Sequence, residues 1–162
     1  MLALAYMDST MYGKALEALE EAIKISPELH TLFVYRAVCA GRFAKALHDE
    51  VQRAALFRTA EDSYLRAINL DPTSTNALYG LGILYTYELE RPEETVPLME
   101  KILAREKRNV DALFLLAASQ YFLGNTEAAL DAYDQIIAIS DAGSRREEAR
   151  KNKRVILEGA LR

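Results

Sequence analysis

The sequence predicts an all-α chain of antiparallel helix pairs, and three observations carry that expectation. Residues 113–141, LFLLAASQYFLGNTEAALDAYDQIIAISD, read as two amphipathic helices joined at Gly124-Asn125. The offsets of their apolar and small residues recur along most of the chain. Composition agrees, since 162 residues with 51% hydrophobic, 27% charged, and only 7 Gly and 4 Pro suit one globular, mostly helical unit.

Counting Val110 as position 1 of a 34-residue unit, Leu113, Leu116, Ala117, Ala129, Tyr133, Ile136 and Ile137 fall at positions 4, 7, 8, 20, 24, 27 and 28, with Gly124 at 15. This spacing resembles the tetratricopeptide repeat. The resemblance implies a right-handed superhelical solenoid of antiparallel helix pairs, closed by a C-terminal capping helix.

In the first unit, residues 1–29, Pro27 at position 32 puts Leu2, Ala3, Tyr6, Tyr12, Ala15, Leu19, Ala22 and Ile23 on pattern positions. Met1 then stands at position 6, so the first helix begins inside the pattern. A fragment of a longer protein is expected, or else a partner covering the open end. The apolar MLALAY lacks a preceding basic residue and a following cleavage pattern, so it is not read as a signal peptide.

The second unit, residues 30–74, fits from both ends but not in one frame. Phe33, Arg36, Ala37 and Ala40 match forward, and Ala60, Tyr64, Ala67 and Ile68 match back from Pro72. Eleven residues are inserted between them, about three helical turns. No Gly or Pro interrupts Phe43 to Phe57, so both helices should lengthen by about a turn and a half, reversing near His48-Asp49-Glu50 with Asp49 as N-cap. Thr59-Ala60-Glu61-Asp62 resembles a capping box and offers a competing helix start.

The third unit, residues 75–109, carries Leu78, Leu81, Gly82 and Tyr85, then one extra residue near Arg91-Pro92, then Thr95, Met99, Ile102 and Leu103. Pro92 suits a helix first turn, where its missing N–H is not needed. The fourth unit spans residues 110–143, with Gln120 where an aromatic is usual in the family. Ser144-Arg145-Arg146-Glu147 reads as the capping-box start of a final helix, residues 145–161, with Ala149, Lys153, Ile156 and Ala160 on one stripe and Val155, Leu157 and Leu161 beside it.

Small residues are required where the two helices of a pair cross, because only they let the axes approach to about 8–10 Å. The expected pairs are Ala3 with Ala15, Ala37 with Ala60, Gly82 with Thr95, and Ala117 with Ala129. The larger apolar positions fill the space between pairs, so each unit is stable only against its neighbours.

Charge and chemistry exclude several function classes. The net charge of -4 argues against nucleic acid as a partner, since phosphate binding needs a basic footprint. From Asp141 onward the chain carries +3, leaving -7 for residues 1–140, and the basic face of the last helix reads as solvated. No apolar run approaches the roughly 18 residues of a membrane span, so no direct membrane insertion is expected. The lone Cys39 has no disulfide partner within the chain. His30 and His48 lack ligand-spaced companions, and there is no glycine-rich phosphate loop, HExxH or GxSxG. No catalytic residue, metal or cofactor is expected, and the chain is not read as an enzyme.

The resemblance points to the inner face of each first helix as the informative surface. There the sequence places Val34, Tyr35 and Val38, then Tyr79, Ile83 and Tyr87, then Phe114, Ala118, Tyr121 and Phe122. This aromatic and aliphatic strip nearly lacks the Lys, Asn and Arg with which family members clamp chaperone carboxylates. It fits an apolar peptide or amphipathic helix of a protein partner. The expected function is a non-catalytic protein-interaction scaffold. The alternative is a homo-oligomer joined through the strip or the open N-terminal edge, and simple packing is the bland explanation of the aromatics.

Overall fold

The computed structural model describes residues 2–160, the side chain of Ala160 excepted. The pattern positions given to Met1, Leu161 and the Ala160 side chain lie outside it. Nine helices and no strand occur among the described residues: α1 (Leu2–Asp8), α2 (Tyr12–Ile25), α3 (His30–Ala46), α4 (Glu50–Leu70), α5 (Thr75–Tyr87), α6 (Pro92–Arg105), α7 (Val110–Phe122), α8 (Thr126–Ile139) and α9 (Gly143–Ala160). The chain divides into two compact units, the first ending at Leu84 and the second beginning at Tyr85.

In the first unit α2 packs against α1 and α3, and α3 packs along α4. One cluster buries Met7, Ala15, Leu19 and Cys39, with Ala3, Leu4, Tyr6 and Tyr12 packed around it. Ala37 and Ala60, the expected crossing pair of α3 and α4, are both fully buried. Arg36 stands at a position that is apolar in the other units and is satisfied by partners on two helices. Its Nη1 donates to Ser63 Oγ at 2.9 Å and its Nη2 lies 3.6 Å from Glu20 Oε1.

The inserted residues lengthen both helices, unequally. α3 has 17 residues against 13 in α5 and in α7, and α4 has 21 against 14 in α6 and in α8. The reversal falls at Leu47 to Asp49, where extended backbone at Leu47 stops α3 and Asp49 Oδ1 accepts from Gln52 N at 2.7 Å. Asp49 thus satisfies one of the amide donors left unpaired at a helix start. The competing start at Thr59 is not used. Thr59 lies inside α4 and its hydroxyl donates to Ala55 O at 3.1 Å.

The second unit packs α7 between α6 and α8, and α8 against α9. Its core joins Leu113, Ala117, Ala129, Ala132, Tyr133, Ile136, Ala149 and Ile156. Ala117 and Ala129 therefore share one core, as the crossing requires. α9 begins at Gly143 rather than at Arg145, so Ser144 lies within the first turn instead of capping it. A backbone bond from Arg146 N to Ala142 O at 3.2 Å carries the helix upstream, and the Arg146 side chain donates from Nη2 to Ser140 O at 2.5 Å. Lys153, on the stripe facing the core, reaches Asp134 at 2.5 Å, while Val155 and Leu157 are exposed.

Candidate partner-binding surface

Each predicted strip residue occupies a first helix of a pair, and its surroundings decide what it can offer a partner. In the first unit Val34 is buried, Val38 packs beside the Cys39 cluster, and Tyr79 and Ile83 are half-buried, leaving Tyr35 exposed. The strip is closed at Gly80 by Tyr64 of α4. A Cβ on Gly80 would meet the Tyr64 ring and hydroxyl at 2.5–2.6 Å. Burial pushes the Tyr64 phenol up to about 12, with the Arg42 charge opposing part of that rise.

In the second unit the strip separates into covered and open residues. Phe114 packs edge-on against Tyr133, with ring centroids 6.0 Å apart, and the Arg145 guanidinium lies 5.3 Å from its centroid. Arg145 is held there by ion pairs to Asp111 and Glu148. Ala118 is half-buried. Tyr87, Tyr121 and Phe122 remain 52%, 45% and 56% exposed. Tyr87 and Phe122 meet edge-to-face at 6.1 Å and 87°, a favoured aromatic geometry.

Those two rings line an open cleft of about 420 Å³, together with Thr86, Glu90 and Pro92. Below it lies a buried hydroxyl chain: Thr86 Oγ1 is 2.9 Å from both Thr95 Oγ1 and Ser119 Oγ, and Ser119 Oγ donates to Leu115 O at 2.9 Å. The chain ties α5, α6 and α7 together and fixes the cleft floor. Partial burial raises the Tyr87 phenol above its ordinary value, so the group is neutral near pH 7.

Turn geometry explains why the cleft forms here. α7 passes to α8 through Leu123 to Asn125, with Gly124 at φ 78°, Gly124 N donating to Tyr121 O and Asn125 N to Gln120 O. This is a Schellman closure, in which glycine adopts the left-handed conformation at no steric cost. The α5–α6 turn spans Glu88 to Arg91, one residue longer, and Arg91 N reaches back to Tyr85 O at 2.8 Å. Glu90 takes the left-handed conformation there at φ 54°. Glu90 and Pro92 were not among the expected site residues; the extra residue near Arg91-Pro92 marked an altered turn in the sequence but was not read as part of a site.

Among the described residues no cluster of three or more His, Cys, Asp or Glu could hold a metal ion. None of the described helices is long and apolar enough to cross a membrane.

Two stretches of the chain, residues 1–29 and 111–139, match models of the tetratricopeptide repeat. A TPR repeat-containing protein of Borreliella burgdorferi is 25% identical over 137 residues. That match takes in 83% of this chain, which spans 59% of the relative's length. Among solved structures, a thermophilic TPR protein of Thermus thermophilus superposes with a TM-score of 0.76 at 15% identity, over 96% of this chain and 78% of its own. PilW, a type IV pilus biogenesis factor, gives 0.67 at 19% identity, over 97% and 75% of the two chains. MamA of Desulfovibrio magneticus gives 0.74 at 12%, over 97% and 90%. The two repeat matches and the related sequence give this chain tetratricopeptide repeats, and such repeats serve generally as protein-interaction scaffolds.

Proposed function

We propose that the chain is a non-catalytic interaction module and that its second unit takes an apolar peptide or helix of a protein partner in the cleft at Tyr87 and Phe122. The observation that carries this reading is the pair of exposed aromatic rings in edge-to-face contact that line an open cleft. Large aromatic side chains left in water at such a position supply contact area with little rotamer freedom to lose. The buried hydroxyl chain below them holds the floor in place before a ligand arrives, which lowers the cost of binding.

The test is selection from a displayed library of random peptides on the wild type and on a Tyr87→Ser, Phe122→Ser variant, with circular dichroism confirming that both are helical. Peptides that bind the wild type and lose the variant are expected. Equal binding to both proteins would remove the cleft from the reading. Light scattering on the same two proteins distinguishes self-association: an oligomer that the variant reduces to monomers would make these aromatics an assembly contact instead.

A further inference from the structure

The cleft contains one charged residue among those that line it, and that residue is not neutralised. Glu90 is exposed at the mouth, and its carboxylate makes no ion pair among the described residues. The nearest cation in sequence, Arg91, is committed elsewhere: it pairs with Glu94 at 3.1 Å, and its guanidinium lies 4.5 Å from the centre of the Tyr85 ring. The Thr86 hydroxyl is occupied by Thr95 and Ser119. An occupant of the cleft therefore meets two aromatic rings and one unpaired carboxylate, with no basic group in the lining.

We propose that the cleft receives a lysine or arginine side chain of the partner peptide, its aliphatic stem along Tyr87 and Phe122 and its cation at Glu90. The assignment rests on the peptide-binding reading above and gives it a residue class. A purely apolar occupant would strip water from the Glu90 carboxylate without compensation, which costs free energy. A cation removes that cost and is attracted by an aromatic ring as well. A lysine or arginine carries both an apolar stem and a charged tip, matching the two halves of the lining. The second unit, residues 85–162, carries 14 acidic and 12 basic residues, a net charge of -2, which does not oppose approach of a basic segment.

The backbone of Glu90 supplies a control. Its φ of 54° is a conformation that glycine adopts without strain, so Glu90→Gly removes the carboxylate while relieving the turn. Peptides selected on the wild type from a displayed random library are sequenced and then measured against Glu90→Gln, Glu90→Gly and Phe122→Ala by fluorescence anisotropy. The expected result is enrichment of Lys or Arg in the selected pool and a loss of about tenfold in affinity on either Glu90 variant. Glu90→Gly should unfold at equal or higher denaturant than the wild type. Added salt should weaken binding to the wild type more than to Glu90→Gln. Peptides that need Phe122 but lack a basic residue and bind Glu90→Gln equally well would overturn the inference and leave the peptide-binding reading standing. A pool in which no peptide depends on Phe122 would overturn both.

Discussion

Replacing Gly80 by alanine isolates one packing contact from helix propensity. Gly80 lies in α5, where alanine should gain about 0.5–1 kcal/mol because glycine loses more backbone freedom on folding. The added Cβ, however, would sit 2.5 Å from Tyr64 Cζ and Oη and 2.6 Å from Cε1. Ordinary carbon contacts lie near 3.5–4.0 Å, so the overlap is about 1 Å at three atoms. Tyr64 is only 7% exposed, and its flat ring cannot move aside without displacing its neighbours. Overpacking of this kind costs about 1–3 kcal/mol, so after the propensity gain a net loss of up to about 2.5 kcal/mol is expected. Gly41 is the internal control, since it lies in α3 of the same unit and a Cβ there meets nothing within 4 Å. Gly41→Ala should therefore stabilise by about 0.5–1 kcal/mol. The assay is urea unfolding of both variants followed by circular dichroism, with Gly80→Ala repeated in a Tyr64→Leu background. There the alanine should become neutral or stabilising, which makes the coupling between the two sites measurable. If Gly80→Ala shifts the midpoint upward in step with Gly41→Ala, Tyr64 does not lie across Gly80 as described.

Three further outcomes are expected. Asp49→Ala removes the cap on Gln52 N and should cost about 1 kcal/mol of stability, read from the urea midpoint; an unchanged midpoint would mean that the α3–α4 reversal does not depend on the cap. Thr10 holds a β-branched side chain at φ 57° between α1 and α2, so Thr10→Gly should raise the midpoint by about 1 kcal/mol, and a fall would argue against the left-handed turn. Burial pushes the Cys39 thiol from 9.0 up to about 11, as it pushes the Tyr64 phenol from 10.0 up to about 12. Both groups are neutral when protonated, and the unfolded chain releases these protons first as pH rises. The stability they protect is complete below about pH 9 and is lost between about 9 and 12. A midpoint flat across that window, or a native Cys39 that reacts with a thiol reagent as fast as the unfolded chain, would contradict this.

Features set by neighbours three and four residues apart were legible in the sequence. The period of small and apolar residues placed the helix pairs. The uninterrupted stretch from Phe43 to Phe57 located the reversal at Asp49, and the odd residue near Arg91-Pro92 marked an altered turn. These are local quantities, because a helix face repeats every 3.6 residues and a cap is satisfied within one turn. Tertiary structure decided which strip residues stay exposed. Phe114 and Phe122 are alike in sequence terms, yet Arg145, brought back by α9, lies against the first, while the second meets only the rings of Tyr87 and Tyr121 among the described residues and stays 56% exposed. Packing also paired Arg36 with Ser63 and Glu20, and linked Thr86, Thr95 and Ser119 through their hydroxyls. Glu90, left-handed in the longer α5–α6 turn, lines the cleft with Tyr87. Exposure depends on side chains that arrive from distant segments, and no local period encodes their arrival.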